Sequence, residues 1–196
     1  MAPTKYRATD YVIEPDASAA TYLWAAAALT GGDIDLGVPM HAFTQPDAKA
    51  AEFIRKFPHM PAVIDGSQMQ DAVPTLAVLA AFNDTPVRFT GIANLRVKEC
   101  DRIRALSTEL SRIQPGLAHE DGDDLVVVAD PRLRSAAKRN AITEIETYED
   151  HRIAMSLALA GLRIGGITIL NPDCVGKTYP GYWDALRSLG VTLTAT

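Results

Sequence analysis

The residues able to do chemistry lie in a few short runs. In the densest, Asn94, Arg96, Lys98, Glu99, Asp101, Arg102 and Arg104 crowd together where a strand-like segment hands over to a helical one. A helix N-terminus points unsatisfied amides and the positive end of its dipole outward, so cations placed there make a concentrated anion site. Lys98 and Arg102 stand four apart and could share a face. A solvated helix start, with Glu99 and Asp101 favouring the dipole, fits the same residues as well. Asp150, His151 and Arg152 crowd acid, imidazole and guanidinium at a second helix start. Arg152 suits bidentate binding of a carboxylate or phosphate, although an N-cap aspartate with two exposed neighbours also accounts for the triplet. Asp71 opens another helix and carries the same two readings, since capping explains Asp16, Asp71 and Asp150 equally well. The last run, Asn171 to Thr178, ends in Gly176-Lys177-Thr178 like a P-loop. Asparagine stands at its first glycine position, however, and Tyr179-Pro180-Gly181 interrupts the helix that should follow, so no nucleotide site is expected. Lys177 remains a candidate for facing a phosphate.

A recurring unit must position these runs. Three Ala-rich helical stretches open with Asp16, Asp71 and Asp150, and each is followed by a strand-like run and a second helix. The strand-like runs are Ile34 to Val38, Val87 to Ile92 and Ile167 to Leu170. The second helices are Asp47 to Phe57, Asp101 to Ile113 and Tyr182 to Leu189. Leu125 to Ala129 adds a strand after the turn-forming Asp121-Gly122-Asp123. The pattern predicts one α/β domain of three units, roughly 1–66, 67–140 and 141–196, packed around a shared axis. The first unit is short and is expected to lack a hairpin.

Bulk composition narrows the function classes. With 196 residues, 47% hydrophobic and 22% charged, the chain can bury a substantial core. A net charge of -5 carries no basic field for nucleic acid or an anionic membrane, so an anionic substrate needs locally focused cations. Cys100 and Cys174 lie far apart without metal-ligand spacing, which predicts reduced thiols and no metal site. The apolar run from Tyr22 to Leu29 stops at Gly31-Gly32, too short for a membrane helix. The opening residues lack the apolar stretch of a signal peptide. A cytoplasmic protein is expected.

Three ordered motifs, Arg96-Val97-Lys98-Glu99-Cys100-Asp101-Arg102, Asp150-His151-Arg152-Ile153-Ala154-Met155 and Lys177-Thr178-Tyr179-Pro180, resemble those of the 5-enolpyruvylshikimate-3-phosphate synthases. The likeness runs from Tyr11-Val12-Ile13-Glu14-Pro15-Asp16-Ala17-Ser18 to the final helix. It implies an α/β (α+β) fold: one lobe of the enolpyruvyl transferase inside-out barrel. Such a lobe has three repeated helix-strand-helix-strand units, with helices inside and sheets outside. The implied reaction moves the enolpyruvyl group of phosphoenolpyruvate to the 5-hydroxyl of shikimate 3-phosphate and releases phosphate, without a metal or organic cofactor. By the same resemblance, Arg102, Arg152 and Lys177 hold phosphoenolpyruvate, and Asn94 and Lys98 contact shikimate 3-phosphate. Asp71 is the general base toward the 5-hydroxyl. Glu99 delivers and later removes the methylene proton, with Lys177 sharing in proton transfer, while Arg96, Asp150 and His151 flank the site.

Two departures from the pattern accompany the likeness. Pro15 stands where the family often has glycine, and the chain matches only the C-terminal lobe. An N-terminal lobe is therefore expected as partner, supplying further lysine, arginine, serine and glutamine contacts, and the isolated chain is expected to bind anions weakly without turnover. Two other functions are weighed beside this one. A relative of the same architecture acts on a nucleotide sugar, but the motif from Arg96 to Arg102 belongs to the shikimate enzyme. A non-catalytic module that binds an anion or a partner lobe would need the cations but not Asp71 and Glu99.

Overall fold

The Ala-rich stretch after Asp16 forms a helix because small side chains cost little entropy there and both ends are capped. In the computed structural model, which describes residues 6–135 and 142–194, helix α1 spans Ala17–Thr30. The Asp16 carboxylate accepts the Ala19 amide at 3.0 Å, and Gly31 ends the helix in the left-handed conformation with its N–H on the Ala27 carbonyl. A 3-10 turn at Pro46–Lys49 leads into the short helix α2, Ala50–Ile54. Strand β1 follows at Val63–Asp65. Gly66 then lets the chain turn inward, because a Cβ there would meet the Cγ2 atoms of Ile92 and Val73 at 2.6 and 2.7 Å. A 3-10 turn over Gln70–Ala72 opens α3, Val73–Ala81, whose every residue is buried.

Strand β2, Val87–Thr90, runs into a 3-10 turn at Ala93–Val97 and then into α4, Arg102–Ile113, capped by Asp101 onto the Arg104 amide. Strands β3, Ala118–Asp121, and β4, Asp124–Val127, form a hairpin turning at Gly122. The sheet order is β1-β2-β4-β3, with β1 parallel to β2 and the other pairs antiparallel. Alternation puts Ile64, Phe89, Val87, Leu125 and Val127 on the covered face, against the apolar side chains of α3 and α4. Strand β5, Thr143–Ile145, pairs in parallel with β6, Ile167–Ile169. Between them lie α5, His151–Ala158, and α6, Gly161–Ile164. A 3-10 turn at Pro172–Lys177 and α7, Tyr182–Ser188, follow.

Helices α1, α3 and α5 meet in the interior, where the buried hydroxyl of Thr75 lies 3.4 Å from that of Thr21 and 3.2 Å from that of Ser156. This is an α/β architecture with helices inward and sheets on the outside. Two expectations need correction. Ile34 to Val38 is not a strand: the segment has no ladder partner among the described residues, and Asp35 instead turns it back onto the Gly37 amide. Asp71 is not an N-cap, because the 3-10 turn makes Ala72 the residue before α3 and leaves the Asp71 carboxylate free to project away. β1, which falls within the stretch 1–66, pairs with β2 of the stretch 67–140. The 140/141 unit boundary and the first five residues lie outside the described residues.

Candidate active site

Four segments from separate parts of the chain deliver the charged residues to one place. The end of the 93–97 turn and the first turn of α4 bring Lys98, Glu99 and Arg102. The start of α5 brings Asp150 and Arg152, and the 172–177 turn brings Lys177. That last turn is pinned by the buried side chain of Val175, packed with Ala154, Met155 and Tyr182. Asp71 reaches in from the turn before α3.

Arg102 is the hub, with 1% of its side chain exposed. Its Nε donates to Asp150 at 2.7 Å, its Nη1 to Asp71 at 3.0 Å and its Nη2 to Glu99 at 2.6 Å and Asp150 at 3.2 Å. Asp150 is wholly buried and also caps α5 by accepting the Arg152 amide at 2.8 Å. A buried guanidinium is tolerated only with this degree of pairing. Asp71 is shared by three cations: Arg102, Arg152 at 3.0 Å and Lys98 at 3.7 Å. Glu99 bridges Arg102 and Lys177, whose ammonium lies 2.6 Å away. Burial raises the Glu99 pKa, but the Lys177 and Arg102 charges outweigh it and hold the carboxyl at about 2. The site is thus a mutually paired set of four cations and three carboxylates.

The other expected residues sit differently. Arg96 turns away from the cluster to the hairpin, donating to Asp123 at 2.8 Å, Glu120 at 2.7 Å, Asp101 at 3.0 Å and the Gly122 carbonyl at 2.5 Å. His151 is buried, its Nδ1 without a hydrogen-bond partner among the described residues, and burial with the adjacent Arg152 charge lowers its pKa. Asn94 is exposed on the 93–97 turn. Burial and Asp150 push the Cys100 thiol, 3.5 Å from that carboxylate, up to about 12, so it is no nucleophile at neutral pH.

Two residues at the site were not singled out from sequence. The buried Tyr22 hydroxyl lies 3.4 Å from Arg152 Nη1, and burial, opposed by the Arg152 charge, pushes its pKa up to about 12. Asp47 accepts the Ser18 hydroxyl at 2.6 Å, and burial raises its pKa. It lines an open cavity of about 240 Å³ with Ser67, Gln70, Asp71 and Lys98. A phenol in an otherwise Ala-rich helix was the available signal for Tyr22. For Asp47 there was none, since a charged residue at a turn is ordinary.

Comparison with known proteins bears on the family and the fold. Residues 39–186 match the family model for EPSP synthase (3-phosphoshikimate 1-carboxyvinyltransferase). A 3-phosphoshikimate 1-carboxyvinyltransferase of Rhizobium etli is 73% identical over 190 residues, 97% of this chain and 44% of its own length. One of Pseudomonas savastanoi is 72% identical over 191 residues, 97% of this chain and 45% of its own. The structure of EPSP synthase from Acinetobacter baumannii superposes with a TM-score of 0.63 at 23% identity, over 87% of this chain and 45% of that one. The chain spans about half the length of the curated relatives it matches. By the match of the family model over most of its length, this chain belongs to the EPSP synthase family.

Proposed function

We propose that this chain forms one half of the active site of a cytoplasmic enzyme that transfers the enolpyruvyl group of phosphoenolpyruvate to the 5-hydroxyl of shikimate 3-phosphate. The observation that carries the reading is the convergence of Asp71, Lys98, Glu99, Arg102, Arg152 and Lys177, far apart in sequence, into one charge network. The two free thiols fit a reducing compartment. The other half of the site comes from an N-terminal lobe, consistent with relatives about twice as long.

The network explains how an acidic chain handles two anionic substrates. Each cation is already paired with a carboxylate, so an incoming phosphate or carboxylate exchanges for Asp71 or Glu99 rather than entering an empty cationic field. Charge-assisted contacts of this kind contribute about 1.5–3 kcal/mol each. Phosphoenolpyruvate takes Lys177, Arg152 and the Arg102 donors that Asp71 or Glu99 gives up, while Lys98 and Asn94 take shikimate 3-phosphate. Losing Lys177 frees Glu99 from the charge that holds it low, and its pKa rises so that it can carry a proton. Asp71, released from Arg152, faces the 5-hydroxyl as base. The 5-oxygen bonds to C2 of phosphoenolpyruvate, its proton going to Asp71 as Glu99 protonates the methylene. Glu99 then withdraws a methyl proton as the C2–O bond to phosphate breaks, leaving the enol ether and free phosphate.

The test is phosphate release from the two substrates by the chain alone and after mixing with a separately made N-terminal half. Activity in the mixture alone supports the reading. Silence in a mixture whose association is demonstrated would sink it and favour a binding module.

A further inference from the structure

Two turns along α4 from Arg102 stands Glu109, a carboxylate with no exposed surface among the buried Leu106, Leu110 and Ile113. A charge in such a stripe is unfavourable unless it is fully bonded. Most of its bonds go to the segment that leads into α5. Its Oε2 accepts the Glu146 amide at 3.1 Å and faces Arg112 Nε at 3.4 Å, and its Oε1 accepts the Tyr148 hydroxyl at 2.7 Å. Desolvation and the Glu109 carboxylate push the Tyr148 phenol up to about 12, so it stays a donor at neutral pH.

The segment so held is strained. Tyr148 and Glu149 are consecutive residues with φ of 54° and 56°, a left-handed region that side chains bearing a Cβ disfavour. Such a turn persists only where its surroundings over-determine it. Glu146 Oε1 accepts the amides of Thr147 and Tyr148 at 3.0 and 3.2 Å, and the Asp150 amide donates to the Thr147 carbonyl at 2.8 Å. Directly after this turn come Asp150, beneath Arg102, and Arg152, on Asp71.

We infer that Glu109 and Tyr148 are positioning residues of the active site. One face of α4 grips the 146–152 segment at two points, Arg102 to Asp150 and Glu109 to Tyr148 and the Glu146 amide. The second grip sets the left-handed turn from which Arg152 reaches Asp71. Neither residue touches a reacting group. The inference rests on the proposed function for the meaning of that placement, since Arg152 is there a ligand of phosphoenolpyruvate. A charge on the buried face of an amphipathic helix, seven residues from a candidate arginine, is the sequence signal that would have pointed to it.

The experiment uses the 196-residue chain, Tyr148→Phe and Glu109→Gln. Amide exchange, the arginine Nε resonances and phosphoenolpyruvate titration are followed by NMR, beside thermal melting. Both variants are expected to keep the fold, to exchange the 146–152 amides about tenfold faster or more and to shift the Arg102 and Arg152 resonances. Phosphoenolpyruvate affinity is expected to fall about threefold to tenfold. A lowered melting temperature with unchanged exchange and unchanged arginine resonances would overturn the inference and leave a purely structural contact. If Glu109→Gln does not fold, Tyr148→Phe decides alone. If the native chain alone binds no phosphoenolpyruvate, exchange and resonances still decide this point, and phosphate release with the N-terminal half decides the proposed function separately.

Discussion

At the scale of single residues, the site works by mutual neutralisation. Glu99 has an ordinary value of 4.5 and is held at about 2 in the folded chain. A depressed carboxylate contributes stability that is fully present above 4.5 and is lost as the pH falls through about 2. The pair with Lys177 is partly exposed, so that contribution is small, and its larger consequence is protonation. A carboxyl titration by NMR should place Glu99 near 2 in the native chain, and markedly higher in Lys177→Met or after phosphate is added. No upward movement in either case would remove the exchange mechanism. Glu99→Gln, in the enzyme assembled with its N-terminal half, should cut turnover by about a hundredfold or more. Phosphoenolpyruvate affinity should change far less, and an unchanged rate would rule out proton transfer by this residue. Asp150 is a different case. Asp150→Ala leaves the buried Arg102 without its main partner, and urea denaturation should show a loss of about 3–5 kcal/mol.

At the scale of elements, the hairpin β3–β4 supports a loop it does not belong to. Arg96 ties the 93–97 turn to Glu120, Asp123 and the Gly122 carbonyl while bracing the α4 cap residue Asp101. A lysine cannot reproduce that planar, multiply donating fork. Arg96→Lys should therefore speed amide exchange across 94–101 and weaken phosphoenolpyruvate binding about threefold or more, with only a small fall in melting temperature. Unchanged exchange would show that the hairpin is decoration. The resemblance implied only that Arg96 flanks the site; which acids it pairs with, Glu120 and Asp123 of the hairpin and Asp101, comes from the packing. Conversely, Ile34 to Val38 reads as a strand by its apolar alternation. Among the described residues it has no partner strand to satisfy its backbone, and so it remains a loop.

At the scale of the whole molecule, Lys98 and Lys177 leave one side of the network exposed, and under the proposed function the opposite contacts come from an N-terminal lobe. Tyr11, Val12 and Ile13, exposed by 76%, 91% and 81%, add unpartnered apolar surface near the chain's start. The chain alone should release no phosphate above background, and adding the N-terminal half should restore release and protect residues 11–13 from exchange. Turnover by the pure chain would mean that a second copy completes the site. Much of this molecule was legible in order of sequence. The capped helices after Asp16 and Asp150, the strands at Val87 and Ile167 and the charged motifs followed from local propensity, periodicity and composition, because those forces act between near neighbours. The turning of Asp71 away from the helix start toward three cations, the pairing of Arg96 with the hairpin, the burial of Arg102 on Asp150 and the grip of Glu109 on Tyr148 did not. Each depends on which distant donor arrives within about 3 Å of which carboxylate, and only the packing of the elements against one another decides that.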